Sequence, residues 1–319
     1  MGETSGRATG VGIAFETTYG SAVAAALWLR LEAWSCAPSA PQLSIQALHL
    51  GRAQFGRSAV NIQKDVSGSF TVRGHYDGGG LTSLLRWAVG GSWSTSGGGP
   101  YKHDLSPGAV LPSLTLRPIF GDGVGGATET GAVITGAKCN SLTITLTTDG
   151  LMDAAADFVA QSYTPGSAET PTYGTDNAIL PQQAGTVAWN SGTYSPTGIT
   201  IQIENGIATV RKLGSTDITA AYQVNERTAS LVMSHLREDD TFITAHNALT
   251  ESDAVQIITN GTDIFKATLY TARVSEAVGV SIGDTGFVEE SVTFRGRDDG
   301  TNDTLLFEIT NGDTNAEDS

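Results

Sequence analysis

The sequence predicts a mainly β protein whose two halves repeat one pattern, each with one α-helix. Three observations lead there. Short runs rich in Thr, Val, Leu and Ile recur between Gly, Asp and Pro residues along all 319 residues. Only two stretches keep helical spacing. One alternating hairpin occurs twice, once in each half of the chain.

Taken in order, residues 1–27 read as an N-terminal arm and first hairpin, with Gly2, Gly6, Gly10 and Gly12 giving the arm little reason to hold one shape alone. Residues 28–165 form the first β domain, with strands expected at Leu43–Leu50, Gly68–Val72, Leu114–Ile119 and Ser141–Leu146. In the last of these Leu142, Ile144 and Leu146 alternate with Ser141, Thr143 and Thr145, the pattern of a sheet with one wet side. Leu81, Leu84, Leu85 and Ala88 place a helix after Asp77-Gly-Gly-Gly. Residues 166–197, with Pro171, Pro181 and Pro196 among Ser, Thr and Gly, read as a linker or surface excursion. Residues 198–311 form the second β domain, with strands at Thr200–Ile203, Ser230–Met233, Ile264–Tyr270, Phe287–Phe294 and Leu305–Ile309. Its helix carries Phe242, His246 and Leu249. Past Arg297 every charged residue is acidic, and residues 312–319 read as an acidic tail.

The duplication rests on a gapless overlay of 141–161 on 277–297. Leu142, Ile144 and Leu146 fall on Val278, Val280 and Ile282, Gly150 falls on Gly286, Asp153 on Glu289, and Phe158 on Phe294. Both copies read as a hairpin turning at glycine. Upstream, Ser113-Leu-Thr-Leu resembles Lys266-Ala-Thr-Leu, and Ser69-Phe-Thr-Val resembles Ser230-Leu-Val-Met.

Charge narrows the function. The net charge is −15, and residues 166–319 hold 22 of the 33 acidic residues against 8 of the 18 basic ones. Gripping a phosphate backbone needs clustered Lys and Arg, so tight nucleic-acid binding is disfavoured. Catalysis finds no constellation. The Gly121, Gly123 and Gly126 spacing imitates a dinucleotide loop, but Ala-Thr-Glu-Thr-Gly follows it in place of a helix. The Asp298–Asp303 run lacks the bidentate Glu of a calcium loop and reads as a solvated turn. His49, His75, His103, His235 and His246 form no close pair, and no GxSxG elbow accompanies them. The chain is therefore read as no enzyme, with no metal or organic cofactor. Cys36 and Cys139 are too few for a zinc site, although one bridge between them stays open. With no signal peptide and no long apolar run, folding in the cytoplasm with no membrane association is expected.

The segment Gly10-Val-Gly-Ile-Ala-Phe-Glu-Thr-Thr-Tyr-Gly-Ser resembles the start of tail tube proteins from long-tailed bacteriophages, in which an E-x-x-Y-G-[TS] turn follows a short strand. Gly68-Ser-Phe-Thr-Val, Trp87-Ala-Val-Gly, Leu111-Pro-Ser-Leu-Thr-Leu, Gly136-Ala-Lys-Cys-Asn-Ser-Leu-Thr-Ile and Asp157-Phe-Val-Ala-Gln continue the resemblance in the order of that family. It covers the chain well to about residue 165 and thins beyond. The resemblance implies two tandem tail-tube-like β-sandwich or barrel domains, each with one flanking α-helix, in a structural virion protein. Its rings would stack into a conduit for DNA ejection, assembled in the host cytoplasm and carried in the virion tail. The implied partners are further copies of the chain, a tape-measure protein, tail-tip or baseplate and terminator proteins, and DNA in transit.

With the tube domain present twice, three chains complete a pseudo-sixfold ring and are favoured over six. The candidate inner-sheet or lumen residues are Leu142, Ile144, Asp153, Asp157, Val280, Ile282, Glu289 and Thr293. The competing reading is another β-type virion component, a tail-tip, capsid-decoration or carbohydrate-binding module using Trp34, Trp93 or Trp189 as stacking platforms.

Overall fold

A computed structural model describes residues 10–39, 42–45, 58–61, 64–73, 80–120, 130–147, 151–167, 169–171, 185–213, 217–276, 278–282, 288–314 and 316. The arm at 1–9, His49, His75, the Gly121–Gly126 loop, the turns at Gly150 and Gly286, residues 172–184 and half of the acidic tail lie outside these. In chain order the first half contains β1 (Gly10–Phe15), β2 (Leu27–Ser39), β3 (Gln42–Ile45), β4 (Ser58–Asn61), β5 (Asp65–Arg73) and α1 (Gly80–Val89). It continues with β6 (Ser94–Ser96), β7 (Tyr101–Leu105), β8 (Leu114–Phe120), β9 (Thr130–Thr147), β10 (Asp153–Ala160) and β11 (Ser162–Ser167). Six of these strands close a barrel in the order β1, β2, β5, β10, β9, β8 and back to β1, every contact antiparallel. The long strands β2 and β9 belong to both walls. Trp34, Phe70, Phe158 and Trp87 fill the interior with ring centroids about 6 Å apart. α1 is buried nearly all round, and its Trp87 Nε1 donates to Ala137 O at 3.1 Å.

The second half holds β12 (Gly185–Trp189), β13 (Gly192–Tyr194), β14 (Gly198–Glu204), β15 (Ile207–Val210), β16 (Ala220–Gln223), β17 (Thr228–Leu236) and α2 (Thr241–Ala248). Then come β18 (Glu251–Asn260), β19 (Asp263–Val274), β20 (Gly279–Ile282), β21 (Val288–Arg295) and β22 (Leu305–Asn311). Its pairings repeat those of the first half. Thr143 opposite Ala155 and Ile144 opposite Ala154 recur as Gly279 opposite Ser291 and Val280 opposite Glu290. β12 takes the place of β1, β13 with β14 that of β2, β17 that of β5, β18 that of β8, β19 with β20 that of β9, and β21 that of β10. Even the small hairpins match, β15 and β16 falling where β3 and β4 do. Trp189, Phe242, Phe294 and Tyr194 make the second aromatic core.

The structure corrects parts of the sequence reading. Residues 185–194, expected within a linker, form the β12–β13 hairpin, whose Val187 and Trp189 are fully buried because β12 pairs with β18. Counted through the sheet, Phe70 corresponds to Met233, two residues from the Leu231 that the sequence overlay matched. By the same count Leu114–Phe120 corresponds to β18, while Lys266–Leu269 corresponds to the start of β9. Trp189 packs inside, so it has no sugar-stacking face; Trp34 is half-buried against Phe70, and Trp93 Nε1 donates to Thr82 O at 3.2 Å. Cys36 and Cys139 are free thiols. They lie in one row across β2, β5, β10 and β9, with Gly68 and Phe158 between them. Three strand spacings, about 14 Å, are too far for a disulfide.

Candidate functional site

The two halves meet edge to edge. β14 pairs with β9 over seven residues, from Gly198 opposite Thr147 to Glu204 opposite Ser141. The result is one continuous antiparallel sheet in the order β2, β5, β10, β9, β14, β17, β21, β20. Side chains around the seam lock it. Asn205, wholly buried, donates from Nδ2 to Ala88 O at 2.8 Å and to Cys139 O at 3.0 Å. Arg227 donates to Val89 O at 2.8 Å and Gly108 O at 2.7 Å, capping the carbonyl end of α1. Arg211 pairs with Asp65 across the same boundary.

Strand periodicity gives this sheet two unlike faces. One is apolar and faces the cores: Leu142, Ile144 and Leu146 on β9, with Ile199, Ile201 and Ile203 on β14, are all at most 5 % exposed. The other is rich in hydroxyls, carrying Ser69, Thr71, Ser141, Thr143, Thr145, Thr200, Ser230, Ser234, Ser291 and Thr293. Its ionic groups are Asp65, Asp153, Asp157, Glu204 and Glu289, with Glu32 beside Arg73, against Arg73, Lys138 and Arg295, a negative excess. Arg73 Nε lies 3.5 Å from Asp153 Oδ1, and Ser141 Oγ donates to Asp157 Oδ2 at 2.7 Å. The eight candidate residues thus divide by face. Asp153, Asp157, Glu289 and Thr293 stand on the polar face, while Leu142, Ile144, Val280 and Ile282 stand on the apolar one.

The two ends of the sheet are unfinished. β20 has β21 as its one strand neighbour among the described residues, and Ala33–Ser39 of β2 has β5. Val280 is 43 % and Ile282 76 % exposed, whereas their counterparts Ile144 and Leu146 are 3 % and 5 % exposed. At the opposite end Trp34 and Cys36 are half-buried and Pro38 is exposed on the same apolar face.

The E-x-x-Y-G turn is built around one carboxylate. Glu16 accepts from Gly20 N (2.8 Å) and Ser113 Oγ (2.7 Å) on one oxygen, and from Thr115 Oγ1 (2.9 Å) and Gly136 N (2.8 Å) on the other. Burial, with the Glu16 charge beside it, pushes the Tyr19 hydroxyl up to about 12. Gly20 has φ +77°, a left-handed conformation that favours glycine, and a Cβ there would push the end of the Gln161 side chain aside. The motif is thus a structural clamp that joins the first turn to β8 and β9.

Elsewhere, Asp299 accepts from Thr301 N and Asn302 N, and these backbone bonds hold its carboxyl below the usual range. No group of three or more His, Cys, Asp or Glu among the described residues is arranged to hold a metal. No helix among them is long and apolar enough to cross a membrane. His103 is buried and hydrogen-bonded to Asn311 Oδ1 at 2.9 Å. The edges of the sheet were not legible as sites, because pairing across β9 and β14 leaves no local signal.

Against known proteins, a family profile described as phage tail tube protein matches residues 6–296. Among curated proteins none matches.

Proposed function

The chain belongs to the phage tail tube protein family, and from this we propose that three copies close into a ring whose continuous inner sheet lines a conduit for DNA. The observation that carries this reading is the eight-strand sheet, polar on one face and unfinished at both ends. Within one chain, two equivalent four-strand units already sit side by side as neighbours in a ring would. Three chains supply six such units and remove every free edge.

The hydroxyl-rich face then becomes the lumen. Ser and Thr hydroxyls, with carboxylates outnumbering the few cations, offer a polyanion no basic patch, so DNA slides without sticking. Rings stack into the tail of the virion, along a tape-measure protein, between a tip or baseplate and a terminator, after assembly in the host cytoplasm. The role is structural and non-enzymatic.

Electron cryomicroscopy of assembled tubes, reconstructed without imposed high symmetry, tests it. Three full-length chains per ring with both hairpins at the lumen is the expected result. Six identical chains per ring would overturn the trimer, and monodisperse globules that never form rings would overturn the tube.

A further inference from the structure

We propose that β20 of one chain adds to β2 of the next in one fixed register, with Ile282 opposite Trp34, Val280 opposite Cys36 and Val278 opposite Pro38. The inference rests on the ring reading above and deepens it from the existence of a contact to its residue pairs.

The register follows from the seam inside the chain. There, Ile199 stands opposite Leu146, Ile201 opposite Ile144 and Ile203 opposite Leu142. On the β9 side, the shared hairpin register makes Leu146, Ile144 and Leu142 equivalent to Ile282, Val280 and Val278. The β14 side is reached through two pairings. Trp34 lies opposite Phe70, and Phe70 opposite Ala156, just as Ile199 lies opposite Met233 and Met233 opposite Val292, the equivalent of Ala156. Trp34, Cys36 and Pro38 therefore take the positions of Ile199, Ile201 and Ile203. Replacing each partner of the internal seam by its equivalent gives the pairs above.

Three features that did not enter this construction agree with it. Both edges leave their apolar faces uncovered, and the register sets these apolar residues against one another. On the opposite face it puts Ser35 against Ser281, two exposed hydroxyl residues, where the internal seam has Thr200 against Thr145. At Gly279 it sets Ala37, so on this face no charge meets a like charge and no bulky side chain meets another. A slip by one residue would turn Val280 and Ile282 to the wet face. The occupant of the edge is thus a second copy of this chain.

Cysteine pairing tests the register, because native Cys36 supplies one partner. Val280→Cys in the full-length protein, assembled and oxidised with copper phenanthroline, should give a chain-to-chain disulfide in most molecules. The largest covalent species should be a closed trimer on a non-reducing gel. The same variant with Cys36→Ser should lose the link. Ser35→Cys with Ser281→Cys, both exposed and tolerant of change, should link equally well in a Cys36→Ser background. Rings that form normally but link Cys36 to Ile282→Cys and not to Val280→Cys would overturn the register while leaving the ring intact. Absence of any ring in native mass spectrometry would overturn the ring reading itself, and this proposal with it.

Discussion

Glu16 spends its charge on four donors drawn from three stretches of chain, so its loss should be felt well beyond its own turn. Removing the carboxylate strands two backbone N–H groups and two hydroxyls. Glu16→Ala should destabilise the subunit by roughly 3 kcal/mol in urea unfolding, and Glu16→Gln by less, since an amide keeps one acceptor. An unchanged midpoint for Glu16→Ala would mean water replaces the carboxylate. Glu290 makes the opposite case. It is buried on β21 with Oε2 3.3 Å from His235 Nε2, and burial raises its pKa, with Asp239 and Asp240 adding and His235 and Arg237 opposing. A carboxyl raised on folding contributes stability that is complete below its ordinary value of about 4.3, and this is lost as pH rises through the folded value. Thermal midpoints of the wild type should therefore fall across that window relative to Glu290→Gln, whose amide has no proton to lose. Parallel pH profiles for the two proteins would show that this carboxyl does not govern the slope.

Among the described residues the β6–β7 hairpin has no counterpart in the second half, yet it finishes the second half's outer sheet by pairing Tyr101–Leu105 with β22. Excising 92–106 is sterically simple, because a Cβ on Gly91 would already lie 1.8 Å from Ser106 O. The shortened chain should fold with a lower melting temperature and scatter more light on standing, since β22 would offer an open edge. Unaltered scattering would mean that the edge is protected in another way. How far such elements could be read from the chain depends on what encodes them. The hairpins at β9–β10 and β20–β21 were legible because alternation and turn are local. β18 was not, as Gln256, 1 % exposed, interrupts its apolar face. The two-residue slip between Phe70 and Leu231 has a simple cause: a period-two pattern looks the same after a shift of two. Trp189 was hidden by the Pro-rich segment before it, and the β9–β14 seam by the distance along the chain between its strands.

Across the molecule, rows of paired residues climb. The row from Trp34 through Phe70, Ala156 and Leu142 enters β14 at Ile203, four residues beyond Ile199, the equivalent of its starting point. Six units of four strands, each adding a stagger of four, make a ring whose strand number and shear are equal. An eight-stranded barrel with shear eight has the same ratio and tilts its strands by about 36°. The lumen strands should share that tilt. With strands about 4.8 Å apart, the backbone of the inner barrel should measure about 45 Å across, wide enough for a hydrated DNA duplex. Native mass spectrometry should find three copies of the 33.1 kDa chain, about 99 kDa per ring. A strand tilt near zero or a markedly narrower bore in the reconstruction would contradict this geometry.

The seam between β9 and β14 also alters the kinetics of assembly. In a ring of six separate units every junction is a bimolecular encounter that loses translational and rotational freedom. In the proposed three-chain ring every second junction forms between strands of one chain, at an effective concentration set by the connection after β11, and no dilution can reverse it. Ring closure then falls from six encounters to three, so subunits should nucleate tubes at lower concentration than a single-unit homologue whose individual contacts are equally strong.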